Sequence, residues 1–170
     1  MATLIFALII SSIAAGLDIR SRRIPNWLTC SATLFGVGYH TILNGGHGFL
    51  FGAEGLFLGL ALLIVFYALG GMGAGDVKLL AAVGALLGPK GVFITFIFTA
   101  LVGGIYAMVL LFFRFRLIGT AVRLSTMFSS LRCGVSFSTS NTDGEPPALN
   151  YGVCIAIGVF LTAFWNLYAG

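Results

Sequence analysis

The sequence predicts an all-α membrane protein of about six transmembrane helices, folded as a single domain over residues 1–170. Two observations carry this prediction. Hydrophobic residues make up 59% of the chain and charged residues only 8%, whereas a soluble domain has about 25% charged residues. The apolar residues also fall in long runs that short polar segments separate. Such a composition cannot cover a water-exposed surface, so the chain belongs in a bilayer.

The apolar runs define the predicted helices. A transmembrane helix needs about 20 apolar residues, with a range of about 17–25. Turn-forming residues separate the runs, and Asn26 after Pro25 is the predicted N-cap of the second helix. A glycine-rich turn follows Leu43, and Gly88-Pro89 precedes the fifth run. The six runs are Ala2–Leu17, Trp27–Leu43, Phe49–Leu69, Val77–Leu87, Val92–Phe113 and Tyr151–Tyr168.

A polar segment, 114–149, lies between the fifth and sixth predicted helices. In its first part, apolar residues recur at roughly helical spacing around Arg116, Arg123 and Arg132. A basic amphipathic helix in the membrane interface fits this pattern. Its second part, Ser136–Pro147, is rich in Ser and Thr and is predicted to be a loop.

Basic residues orient the predicted helices. Cytoplasmic loops carry an excess of Lys and Arg. With the N-terminus outside, Lys90 alone of the nine basic residues is external. This orientation predicts a multi-pass protein of the cell (inner) membrane, and it places Asp18 and Asp76 together on the cytoplasmic side. The eight residues on that side are Arg20, Arg22, Arg23, Lys78, Arg114, Arg116, Arg123 and Arg132.

Asp18 and Asp76 are the candidate catalytic residues. They are two of only five acidic residues, and each lies at the end of an apolar run. A charged side chain at the centre of a membrane helix costs roughly 2.5–3.5 kcal/mol on insertion scales, so an acid at the edge of such a helix needs a reason. Two carboxyls that face each other share one proton, which is the chemistry of an aspartic protease. The sequence does not distinguish the roles of the two acids.

The residues around Asp76 are candidates for substrate binding. Gly73 and Gly75 form a Gly-x-Gly-Asp sequence with Asp76, and Lys78 follows. Glycine permits positive φ and a close approach of another backbone, so these glycines could admit an extended substrate. The alternative is that they only pack membrane helices tightly. Lys78 is expected to contact lipid phosphates or to influence the field around the acid.

Other chemistries find little support in the sequence. No Cys-x-x-Cys occurs, and His40 and His47 are not spaced as metal ligands, so neither a metal nor a cofactor is expected. No stripe of basic and aromatic residues is present, so nucleic acid is not an expected partner. Glu54, in the third run, has no assigned role.

Two motifs resemble the prepilin peptidase family of aspartic membrane proteases. The first is Asp18 followed by the basic residues and Ile-Pro-Asn of 22–26, and the second is Gly-x-Gly-Asp-x-Lys-Leu at 73–79. Leu-Asn-Tyr-Gly at 149–152 is similar to the family's Pro-Tyr-Gly, with Asn150 in place of Pro. The bifunctional members carry an extension with paired Cys-x-x-Cys motifs, and because no such motif occurs in this sequence, that extension is not expected. It is more similar to the short enzymes of tight-adherence (Flp) pili, or to archaeal preflagellin peptidases.

The resemblance implies that Asp18 and Asp76 cleave the basic leader of prepilin-like, single-span membrane proteins at the cytoplasmic face. N-methylation of the product is not expected. Two alternatives stay open from the residues alone. Acids inside membranes also mark proton and ion paths, so the pair could serve a proton- or ion-coupled transport subunit. The chain could also be a non-catalytic assembly subunit that keeps the fold.

Overall fold

The computed structural model describes residues 2–21, 24–69, 72–114 and 151–169, and these residues are almost entirely helical, with no strand among them. Each of the helices is long and apolar enough to cross a membrane. The prediction of an all-α membrane protein is therefore confirmed. The four helices within the described ranges are α1 (Ala2–Ser21), α2 (Asn26–Ala68), α3 (Ala74–Arg114) and α4 (Tyr151–Ala169).

Each of the two longest helices contains one glycine with non-helical backbone angles. Gly45 in α2 has φ 59° and ψ −135°, and Gly88 in α3 has φ 74° and ψ −178°. Residues with a side chain rarely adopt this part of backbone space. Pro89 follows the second break, where a first helical turn tolerates the missing N–H. Both breaks fall where the sequence places a boundary between apolar runs. The six membrane crossings and their orientation stay predictions.

The chain reverses direction at Gly45. The backbone of Gly48 lies directly against the carbonyl group of His40, and a Cβ at Gly52 would lie 3.2 Å from Cα of Val37. The two halves of α2 therefore pack side by side as an antiparallel pair. Glycine permits this close packing because no Cβ separates the two backbones.

The first half of α3 packs against both halves of α2. Gly84 meets the backbone of Gly55 in the second half of α2, and the two glycines are in contact through their backbones. His40, in the first half of α2, donates a hydrogen bond of 2.9 Å from Nε2 to the carbonyl oxygen of Leu86. Residues 79–86 are accordingly the longest uninterrupted buried stretch in the described part of the chain.

The chain also returns after Gly88. Tyr151 packs its ring against Gly103 and lies within electrostatic range of Asp76. In one straight helix Asp76 and Gly103 would be about 40 Å apart, at 1.5 Å per residue. Residues 89–103 of α3 therefore run back toward the end at which α3 begins, and they pack against α4 through a hydrogen bond of 3.0 Å between Thr95 and Thr162.

The interior face of α1 is a stripe of small and apolar residues. Ala7, Ile10 and Ala14 are buried at helical spacing, and Asp18 continues the same stripe. This helix packs against α4. Large apolar side chains elsewhere remain exposed, such as Ile42 at 85%. Small residues inside and large apolar residues outside are typical of helices that pack within lipid. The stripe carries Asp18 into the protein rather than toward lipid.

Two details of the sequence prediction need comment. The N-cap of α2 is Pro25 rather than the predicted Asn26, because Asn26 already has helical geometry and the extended residue is Pro25. Residues 1–103 with 150–170 form one compact unit, and residues 104–149 form a second. The second unit is described only to Arg114, so the predicted amphipathic helix and loop lie outside the described residues.

Candidate active site

Asp18 lies in the last turn of α1 and is buried, with 7% of its surface exposed. Its Oδ2 accepts a hydrogen bond of 3.0 Å from the backbone N–H of Gly152, the second residue of α4. The carboxyl group is thus held between two helices. Asp18 therefore lies within a helix and not in the loop that follows it.

Asp76 lies in the first turn of α3 and is also buried, with 9% of its surface exposed. Its backbone N–H donates to the carbonyl oxygen of Gly73 at 3.1 Å, which closes the turn that starts the helix. An acid in the first turn of a helix is favourably placed relative to the helix dipole. The Gly-x-Gly-Asp sequence therefore forms the entry into α3.

The two carboxyl groups are close enough to interact electrostatically. Asp18 comes from the end of α1 and Asp76 from the start of α3, so the fold brings them together across 58 positions of sequence. Cys154 of α4 lies within electrostatic range of both acids. Like charges in a buried place cannot both ionise cheaply, so such a pair favours one shared proton. No cluster of potential metal ligands occurs in the described part of the chain.

Comparison with known proteins bears directly on this pair. A profile of the type IV leader peptidase family matches residues 4–108, more than half of the chain, including both acids. The chain belongs to the type IV leader peptidase family. No curated protein and no solved structure gives a significant match. The family is one of peptidases, so the chain is a multi-pass membrane protein of a protease family.

Gly73 and Gly75 differ in their surroundings. Gly73 is exposed, and a Cβ there would lie 3.3 Å from Oδ2 of Asp76. Gly75 faces Ile24, and a Cβ there would lie 3.2 Å from Cβ of Ile24. Neither glycine has a positive φ, so close approach, not left-handed backbone, distinguishes these positions. At Gly75 the approaching segment is the protein's own.

Lys78 is exposed and donates a hydrogen bond of 3.0 Å from Nζ to Oδ1 of Asn26. It lines a groove of about 460 Å³, together with Thr29 and Leu60 among others. Two residues along a helix turn the side chain by roughly 200°, so Lys78 and Asp76 project from different faces of α3. This hydrogen bond connects the start of α2 to α3. The ammonium group makes no hydrogen bond or ion pair with Asp18 or Asp76.

Sequence reasoning missed the part of α4 that completes this site. Gly152 provides the hydrogen bond to Asp18, and Tyr151 lies within electrostatic range of Asp76. The only signal was the Tyr-Gly pair at the entry to the last helix, and it suggested no contact with the acids. Glu54, by contrast, is exposed on α2 and is not one of the groups gathered around the pair.

Proposed function

We propose that this chain is an aspartic endopeptidase that cleaves the basic leader of prepilin-like, single-span membrane proteins at the cytoplasmic face of the cell membrane. The observation that carries the proposal is the buried pair of Asp18 and Asp76, two acids from different helices within electrostatic reach of each other. The family match over both residues supports peptide hydrolysis in preference to coupled transport.

The proposed reaction uses one ionised and one protonated carboxyl group. The ionised group takes a proton from water while the water oxygen bonds to the scissile carbonyl carbon, and the protonated group donates its proton to the carbonyl oxygen. Collapse of the tetrahedral species breaks the C–N bond. The leaving amine takes up a proton from the pair, and a hydroxyl group of the tetrahedral species returns its proton to the pair as the carboxyl product forms. The pair returns to its single-proton state without a covalent intermediate.

The position of the pair limits the bonds that it can reach. Asp18 lies in the last turn of α1 and Asp76 in the first turn of α3, so both lie near helix ends rather than near the middle of a span. A bond near the middle of the membrane would lie too far from these acids. The scissile bond is therefore proposed to lie just outside the apolar helix of the substrate, where a basic leader meets it.

Co-expression with a candidate prepilin tests the proposal. Wild-type protein should convert the prepilin to a shorter form on a gel, and Asp76→Asn should leave it full-length. Asp143→Asn is the matched control, because it removes an aspartate outside residues 4–108 and should retain cleavage. Full-length prepilin in the presence of well-expressed wild-type protein, across a panel of prepilins and preflagellins, would count against the proposal.

A further inference from the structure

The first turn of α4 is built around the carboxyl group of Asp18. Gly152 is buried, and its backbone N–H donates to Oδ2 of Asp18 at 3.0 Å. The first four N–H groups of a helix have no partner within the helix, and Gly152 is the second residue of α4. Its N–H therefore has no partner within α4, and it donates its hydrogen bond to the Asp18 carboxyl group instead.

Any side chain at position 152 would crowd the Asp18 carboxyl group. A Cβ at residue 152 would lie 2.9 Å from Oδ2, 3.2 Å from Cβ and 3.2 Å from Cγ of Asp18. A contact under 3.0 Å requires the carboxyl group or the helix to move. The same residue thus supplies the donor and leaves the space that the carboxyl group occupies.

We infer that Gly152 is a positioning residue for the hydrolysis proposed above, fixing the orientation of the Asp18 carboxyl group by its N–H and by its lack of a side chain. The inference rests on the proposed function and extends it, since residue 152 lies outside the matched residues 4–108. Oδ2 acts as an acceptor, so the proton of the pair lies on Oδ1 of Asp18 or on Asp76. Gly152 therefore connects the first turn of α4 to the Asp18 carboxyl group.

Replacing the Gly152 amide with an ester tests the donor alone. Glycolic acid, introduced at position 152 by suppression in cell-free synthesis, removes the N–H and adds no atom at Cα. Loss of a hydrogen bond to a charged group should lower kcat about tenfold or more with KM little changed. The matched control is the corresponding ester at Val153 in the same turn, which should retain kcat within about threefold. A wild-type kcat for the 152 ester would overturn the inference.

Replacing Gly152 with alanine tests whether the Asp18 carboxyl group needs the space left by the missing side chain. Gly152→Ala should lower kcat more than the ester does, because the methyl group displaces the carboxyl group as well as straining the bond. Gly16→Ala is the control, since a Cβ at residue 16 of α1 would meet nothing within 4 Å. Wild-type kcat and an unchanged pH–rate profile for Gly152→Ala would contradict the inference, whereas Gly16→Ala should match the wild type in both.

A spectroscopic arm separates this inference from the proposed function. The variant Asp76→Asn/Asp143→Asn contains one aspartate, Asp18, so 13C-labelled aspartate reports on that residue alone by infrared difference spectroscopy. The 152 ester should shift the Asp18 carboxyl bands, and the Val153 ester should not. No shift would overturn the positioning role even if the wild type cleaves prepilins. A shift in this variant, combined with no prepilin cleavage by the wild-type protein, would support the contact between Gly152 and Asp18 while the proposed function fails.

Discussion

The carboxyl group of Asp18 accepts a hydrogen bond from the backbone of Gly152, 134 positions later in the chain. The sequence predicts that Asp18 matters, because an acid at the end of an apolar run is costly and Asp76 shares its side of the membrane. It does not predict that Gly152 holds Asp18, because a backbone N–H carries no mark in a sequence. The same limit applies to Ile24, whose approach to Gly75 is visible only in three dimensions.

Gly75→Val should lower activity while Asp76 is unchanged. The added Cβ lies 3.2 Å from Cβ of Ile24, so the start of α3 must shift and carry Asp76 with it. A displacement of about 1 Å in an active site can cost roughly 10²-fold in rate. Prepilin cleavage by purified protein in liposomes measures the effect.

Gly38→Val is the control for this variant, since a Cβ at residue 38 would have nothing within 4 Å. It should cleave at nearly the wild-type rate. Equal rates for Gly75→Val and Gly38→Val would show that the contact with Ile24 has no influence on the acids.

Among the helices, the sequence predicts the positions of the two breaks but not which helices pack against each other. Gly45 and Gly88 fall at the predicted boundaries, and each break is confined to one residue with a positive φ. Sequence patterns identify such positions because glycine and proline dominate them. They do not identify which helices become neighbours, since every apolar run can pack against any other.

Gly84→Leu should destabilise the protein. Gly84 and Gly55 meet through their backbones where α3 packs on the second half of α2, so a large side chain must push the two helices apart. Overpacking of this kind typically costs about 1–3 kcal/mol. Thermal unfolding in detergent should show a lower Tm for Gly84→Leu.

Gly16→Leu serves as the comparison, because residue 16 is exposed and has open space around it. Its Tm should stay near that of the wild type. If both variants unfold at the wild-type temperature, the close contact between α2 and α3 does not contribute to stability.

At the scale of the whole molecule, composition alone predicts a helical membrane protein, and charge distribution predicts its orientation. In a background without native cysteines, Asn44→Cys and Lys90→Cys should react with an impermeant thiol reagent in sealed cells. Ser21→Cys should react only after permeabilisation. Labelling of Ser21→Cys in sealed cells would reverse the orientation and place the acid pair outside.

The charges near the pair also predict a feature of the substrate. Arg20 and Lys78 are exposed near the ends of the helices that carry the acids, and Arg22 and Arg23 follow Asp18 in sequence. This basic rim should attract an acidic residue just past the cut, in the first turn of the substrate's helix. Replacing that residue with Gln should slow cleavage, and replacing it with Lys should slow it further.

A second position in the substrate serves as the control. The same replacements one helical turn further along should have little effect, because they lie beyond the rim. Unchanged rates for both Gln and Lys at the first position would remove the rim from the selection of substrates and leave only the depth of the bond.

Asp18 and Asp76 are proposed to act as one catalytic unit. The decisive measurement is kcat/KM for prepilin cleavage by purified Asp18→Asn, Asp76→Asn and the double variant in liposomes. Residues that work as a unit are strongly non-additive. We predict that each single variant loses about 10³-fold or more and that the double variant loses no more than the worse single variant. A single variant near the wild-type rate, or losses that multiply in the double variant, would contradict the account.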